Sequence, residues 1–267
     1  MSIIKPRVYV IIRGGLGNQL HQIAAGVRFA ENRQGKLIIY SEIVDHAINP
    51  ERRGFFRRLP LQTIFSSTLI REVNWIEKNL LRLFFKFSLK TKHVVHVNEE
   101  NFENYFATEK IFLIRGWFQS HEFLPKTLSI KDLGKQPNNQ TAGIVIHIRL
   151  TDFTDIDKDP LKEKYYRNAL EIIGDKTLTN LIECYSDDLM TAKSMLSWLP
   201  NKYFPENRKK LDPVELLQCL SDTNLLISSR SSLCWWAGLV VIANGGTVIS
   251  PFQSFIDNSK WITVSTN

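Results

Sequence analysis

Short runs of β-branched and aliphatic residues alternate along this chain with longer stretches in which apolar side chains recur every three or four positions. The first pattern is that of strands buried on both faces, the second that of helices with one apolar stripe. Strands are predicted at 8–12, 36–40, 111–114, 144–148, 180–185, 224–227 and 247–250, the last stopped by Pro251. Helices are predicted at 18–33, 74–89, 162–173, 189–199, 213–220 and 233–243. In the first of these Leu20, Ile23, Ala24, Val27 and Ala30 share a face, and Gly35 marks the stop.

Strands that alternate with helices imply parallel sheets with right-handed crossovers, the α/β class. Residues 131–141 are polar, with Gly134, Pro137 and two asparagines, and form the best linker in the chain. The expected domains are therefore 1–135 and 142–267, with a ligand cleft between them.

Open α/β sheets bind ligands beyond the carboxyl ends of their strands, so the residues just after each strand carry the chemistry. The strand at 144–148 includes His147 and is followed by Arg149 and Asp152. An arginine there is costly to desolvate unless an anion or carboxylate receives it. Two readings are open: Arg149 takes an anionic ligand, or it pairs with Asp152 and ties down a loop. After the first strand comes Gly14-Gly15-Leu16-Gly17-Asn18-Gln19, a turn that aims a helix N-terminus at the sheet edge. It is neither a P-loop nor a complete G-x-G-x-x-G, and a tight turn without a ligand competes with the phosphate reading. Asp187 and Asp188, behind Ser186, can accept from ribose hydroxyls or a base N–H, or can cap the next helix. Arg149, the helix start after Gly17 and the pair Ser231-Ser232 together suit a polyanion such as a nucleotide diphosphate. Arginine and helix amides, rather than a metal, are expected to stabilise a departing diphosphate.

Composition adds a location for charge. The net charge is +7, yet residues 51–92 hold ten Lys/Arg against three Glu, and the rest of the chain is balanced. The excess points to an anionic partner for that segment. Its helix interleaves Trp75, Leu80, Leu83, Phe84 and Phe87 with Lys78, Arg82, Lys86 and Lys90. It reads either as a basic amphipathic helix on an anionic membrane face or as a core helix with solvated lysines. Three cysteines at wide spacing argue for a reducing compartment, and 8–12 is too short for a signal peptide or a membrane span. A cytoplasmic protein is expected.

Along nearly its whole length the chain resembles the bacterial α-1,2-fucosyltransferases of glycosyltransferase family 11. The family's G-G-L-G-N-Q opening and alanine-rich helix correspond to residues 14–19 and Ala24-Ala25-Gly26. Its aromatic-Q-S block matches Gly116-Trp117-Phe118-Gln119-Ser120, and its H-x-R-R-x-D signature matches His147 through Asp152. Tyr165-Tyr166, Ser186-Asp187-Asp188, the block from Ser231-Ser232 to Trp235-Trp236, and Val248-Ile249-Ser250-Pro251 follow in the family's order. Seven motifs in order are specific where each alone is weak.

The resemblance implies a GT-B fold, two Rossmann-like domains with parallel sheets facing a cleft. Domain 1–135, carrying the basic amphipathic insertion at about 51–92, would be the acceptor side, and 142–267 would bind the GDP-sugar. It implies GDP-fucose as donor, inversion, no metal or other cofactor, and a galactose-containing acceptor in a surface glycan such as a lipid-linked O-antigen. The enzyme would then work at the inner face of the plasma membrane. Arg149 would bind the donor diphosphate and Asn18 would face the transferred sugar. Gly14, Gly15, Gly17, His147, Ser186, Asp187, Ser231 and Ser232 would line the substrate site.

The chain departs from the family at Leu150 and Thr151, where a second arginine and a glycine are usual, and at Arg230 and Cys234. Arg230 is positioned to restore the missing positive charge. The base candidates are Asp152, Asp155, His21 and Glu122, with Asp152 either accepting the proton or orienting Arg149. A GT-B transferase with a different GDP-sugar or acceptor is the alternative. A nucleic-acid-binding protein using the basic segment would leave the seven motifs unexplained, so no nucleic acid is expected.

Overall fold

A computed structural model describes residues 5–41, 55–65, 70–86, 94–103, 111–126, 128–133, 143–151, 161–174, 181–205, 211–251 and 261–266. Asp152, Asp155, the linker core at 134–141 and the helix end at 87–89 lie outside the described residues. The chain divides into two compact units, Met1–Ser129 and Ile130–Asn267. Among the described residues no helix is long and apolar enough to cross a membrane.

The first unit is a sheet of five strands in the order β3-β2-β1-β5-β4, all parallel. β1 (Arg7–Ile11), β2 (Lys36–Tyr40) and β5 (Ile111–Ile114) form its centre, with β3 (Ile70–Glu72) and β4 (Val94–Val97) at the edges. Val8 pairs with Leu37 on one side and Phe112 on the other, and all three are fully buried. Helix α1 (Leu16–Asn32) covers one face. On the opposite face, Tyr9, Ile11, Ile38, Tyr40 and Leu113 form a cluster. Helix α3 (Trp75–Lys86) meets that cluster through Leu81, after the short helix α2 (Leu61–Ile64).

The second unit is a sheet of six parallel strands in the order β11-β10-β9-β6-β7-β8. β6 (Ile144–Ile148) is buried along its whole length beside β7 (Ile182–Ser186) and β9 (Leu225–Ile227), followed outward by β10 (Thr247–Pro251). β8 (Lys202–Tyr203) and β11 (Ile262–Val264) are the edges. Helices α4 (Glu163–Ile173) and α5 (Leu189–Met195) contribute to a core with Ile144, Ile146, Ile148 and Cys184. α6 (Pro213–Ser221) starts with a capping box between Asp212 and Glu215 and packs on α7 (Ser232–Ala243). α7 is apolar almost all round because α6, β9, β10 and the 3₁₀ turn Ile130–Leu133 all pack on it. That contact places residues 130–133 with the second unit.

Every strand that the apolar runs predict is present within two residues of its expected bounds. The four they do not assign, β3, β4, β8 and β11, are the four sheet edges. Short edge strands lose the continuous apolar run that a doubly buried strand carries, so periodicity has little to report there.

The rotation of α3 about its own axis is fixed by one carboxylate. Asn74 and Glu77 cap the helix reciprocally: Asn74 Oδ1 accepts from the Glu77 amide at 2.9 Å, and Glu77 Oε2 accepts from the Asn74 amide at 3.1 Å. Glu77 is buried and also accepts from both Arg71 terminal nitrogens and from the Tyr9 hydroxyl. The Arg71 hydrogen bonds hold its carboxyl down to about 2 from an ordinary 4.5, against the opposing effect of burial. A carboxyl whose pKa is depressed in the folded state contributes stability that is full above pH 4.5 and is lost as pH falls toward 2. Glu77→Gln is therefore expected to cost about 2 kcal/mol at pH 7. The gap between variant and wild-type urea midpoints should close between pH 4.5 and 2.

Candidate functional site

In each unit the chain builds strands to one side and then returns to build them on the other. The order reverses between β1 and β5 in the first sheet and between β6 and β9 in the second. In the second sheet the crossovers from β6 and β9 run in opposite directions, which opens a crevice beyond those strand ends; in the first, the segment after β5 packs against α1. The motif residues collect at these two reversals.

At the first reversal, the glycine loop after β1 meets the segment after β5. Gly14 has φ +78°, and a Cβ there would lie 3.1 Å from both Asn18 Nδ2 and the Trp117 ring, so this position requires glycine. Gly15 is an ordinary extended residue with open space where a Cβ would go, and Gly17 is the buried second residue of α1. Two buried glutamines of α1 fold back on the loop. Gln22 accepts from the Arg13 amide at 2.8 Å, and Gln19 donates to the Gly14 carbonyl at 2.8 Å. Asn18 Oδ1 accepts from Gln119 Nε2 at 2.6 Å, which turns its amide nitrogen toward the Gly14 side of the loop.

The segment after β5 is held with comparable care. Glu99 accepts from the Trp117 and Phe118 amides, and Gly116 leaves it room, since a Cβ there would overlap the carboxylate. Phe118 sits at φ +53°, a strained value for an aromatic residue, and its ring is anchored between Phe102 and Phe123. The result is an indole, Trp117, that remains 42% exposed beside Asn18, with the Arg13 guanidinium 4.2 Å from its centre.

At the second reversal, Arg149 follows β6. Its Nε forms an ion pair with Asp187 Oδ2 at 3.2 Å, and its side chain is 28% exposed. Asp187 also accepts from the Leu150 amide at 2.9 Å and from the amide and hydroxyl of Thr151 at 3.2 and 2.6 Å. Burial would raise the Asp187 pKa, but these donors and the Arg149 charge outweigh it and hold the group below the usual aspartate range. Its acceptor positions, about four in a carboxylate, are thus engaged within the loop that it clamps. Thr151 supplies two of those bonds, one of them through a hydroxyl that a glycine would lack. Leu150 points into the core, so among the described residues of this loop Arg149 is the cationic side chain.

Asp188 is the N-cap of α5: it accepts from the Thr191 amide and hydroxyl, and Ser186 bonds its backbone. His147 is buried, with Nδ1 2.8 Å from Ser229 Oγ, and ties β6 to the segment after β9. Burial first and the nearby Arg149 second lower its pKa to about 4, so it is neutral near pH 7. Tyr165, fully buried on α4, donates to the Ser228 carbonyl at 2.8 Å and braces the end of β9. Just beyond, Arg230 donates to Thr266 Oγ1 at 3.2 Å, and Ser231 starts α7 without a side-chain cap.

Of the base candidates, His21 is buried on the inner face of α1, and desolvation lowers its pKa to about 3. That removes it from reach of an acceptor hydroxyl. Glu122 is exposed on the 3₁₀ turn His121–Phe123. Sequence reasoning missed Gln22 and Glu99. Polar residues on the otherwise apolar face of α1 were the available signal for Gln22; Glu99 sits in an irregular turn and gave none.

No family model and no curated protein matches the chain. Solved structures do. The fucosyltransferase NodZ from Bradyrhizobium is similar at TM-score 0.52 and 12% identity, over 89% of this chain and 93% of that one. The E. coli heptosyltransferase WaaC, solved with ADP-2-deoxy-2-fluoro heptose, is similar at TM-score 0.51 and 11% identity, over 97% and 92%. At such identities the likeness is one of fold. The two parallel α/β units of this chain are those of the GT-B fold.

Proposed function

We propose that the protein is an inverting, metal-independent glycosyltransferase of the family 11 type. It moves L-fucose from GDP-fucose to a galactoside hydroxyl, forming an α-1,2 linkage in a surface glycan such as an O-antigen, on the cytoplasmic side of the membrane. The observation that carries this reading is Arg149, oriented by Asp187 at the strand-order reversal of the second unit. Arg230 and the start of α7 follow the adjacent strand β9 and supply a second charge and helix amides for the same diphosphate. Seven motifs in the order of the fucosyltransferase family support the donor. So does the shared fold with NodZ, one of whose structures was soaked with GDP-fucose.

In this reaction the acceptor oxygen attacks the anomeric carbon as the bond to the β-phosphate oxygen breaks, and that electron pair leaves with GDP. Arg149, Arg230 and the first-turn amides of α7 stabilise the developing charge. The proton passes to a base, for which Asp152 is the candidate, or to the departing phosphate. Asn18, held through its oxygen by Gln119, offers its amide N–H to sugar hydroxyls, and the Trp117 indole offers a flat apolar face beside it. A different GDP-sugar is the second reading. Leu150 favours it, because the family's second arginine is replaced by a core side chain.

Product analysis with GDP-fucose, GDP-mannose and UDP-sugars against a panel of galactosides, read by mass and linkage, tests the assignment. Fucose on a galactose 2-hydroxyl is expected; transfer from another donor would replace the first reading by the second. Arg149→Ala is expected to lower turnover about 10²–10³-fold. Arg230→Ala should weaken GDP binding as severely as Arg149→Ala, measured by calorimetry. Asp152→Asn should lower turnover and leave GDP affinity intact; equal loss of both would make Asp152 structural. Asp155 and Asp157, outside the described residues, have Asp-x-Asp spacing, so chelation is a direct check. Activity unchanged in EDTA is expected.

A further inference from the structure

Helix α3 turns an apolar face away from its own unit. Trp75 is 76% exposed, Ile76 62%, Leu80 61% and Leu83 51%. At 100° per residue these four fall within an arc of about 140° on a helix about 18 Å long. Glu77 and Leu81 lie on the opposite side, where the carboxylate is bonded to Arg71 and Tyr9 and the leucine packs on the core. The helix cannot roll its apolar side inward without breaking the buried Glu77 cluster. Four large apolar side chains side by side on one exposed helix face exceed what a solvated surface ordinarily carries.

We propose that α3 is a docking helix that lies in the headgroup layer of an anionic phospholipid bilayer, with Trp75, Ile76, Leu80 and Leu83 inserted. Charge selects this occupant. Residues 51–92 carry ten Lys/Arg and three Glu, and two of those glutamates, Glu72 and Glu77, are bonded to Arg57 and Arg71. Lys78 and Arg82, four residues apart, follow one edge of the apolar arc, the arrangement of a helix that inserts one side and meets lipid phosphates with the other. A second copy would bring the same cationic segment to the same face, and like charges oppose that pairing. Tryptophan at the helix start is a residue of the membrane–water interface. The inference is independent of the donor assignment, because it needs neither GDP nor an acceptor.

The test is co-sedimentation of the full chain with vesicles of equimolar phosphatidylglycerol and phosphatidylcholine, against phosphatidylcholine alone. Wild type is expected to bind the anionic vesicles only. The triple variant W75S/L80S/L83S should bind them at least about tenfold more weakly, as should Leu83→Ser alone in part. All four side chains are exposed, so the melting temperature should not move. Tryptophan emission should shift to the blue on vesicle addition in wild type, and the shift should shrink in Trp75→Phe. No vesicle binding, equal binding to both lipid mixtures, or undiminished binding by the triple variant would overturn the proposal. So would a concentration-dependent dimer that the same substitutions abolish, which would make a second copy the occupant.

Discussion

The Asp187 carboxylate organises the polar end of the second sheet. It accepts from two backbone amides and a hydroxyl, pairs with the Arg149 guanidinium, and so converts a loop that follows the central strand into a fixed support for a cation. A lone arginine at that depth would be costly, and a lone aspartate would tend to protonate. Each makes the other tolerable, while the Leu150 and Thr151 amides set the geometry. The buried pair His147 and Ser229 and the Tyr165 hydroxyl brace the neighbouring strand end in the same way. Asp187, His147 and Tyr165 are thus all bonded within the protein, and the end of the sheet is held in one arrangement.

The first unit solves the same problem with different chemistry. Its loop is held by amides of α1 and by Glu99 rather than by an ion pair, and what it presents is an asparagine and an exposed indole. One strand-order reversal therefore displays cationic side chains, and the other displays an amide and an exposed indole. This division follows from which residues stand after β1 and β5 or after β6 and β9, since the two sheets share one parallel architecture.

The basic helix shows why amphipathic sequence is ambiguous. Its apolar and cationic positions fit a core helix and a membrane-surface helix equally well, because periodicity reports that a helix has two faces without reporting which faces inward. Glu77 decides which face turns inward. As an isolated acidic residue it would be assigned to solvent, yet Arg71, Tyr9 and Asn74 together make its burial favourable and commit the apolar arc to the outside.

The sequence by itself determined the α/β class, the seven central strands, the main helices and the residues that follow each strand, because buried parallel strands need continuous apolar runs and their ends need not. The site motifs were legible for the same reason: Arg149, Asn18 and Ser231-Ser232 stand where an apolar run stops. Tertiary structure alone decided the partners. It gave Arg149 to Asp187, made Asp188 a helix cap, set Leu150 into the core and buried His21. It also added the four edge strands, whose pairing comes from neighbours and not from their own composition. Hydrogen bonds between residues 37 or 101 positions apart, such as Leu150 to Asp187 and Gln119 to Asn18, leave no periodic trace in a chain and exist only once the sheets bring the strand ends together.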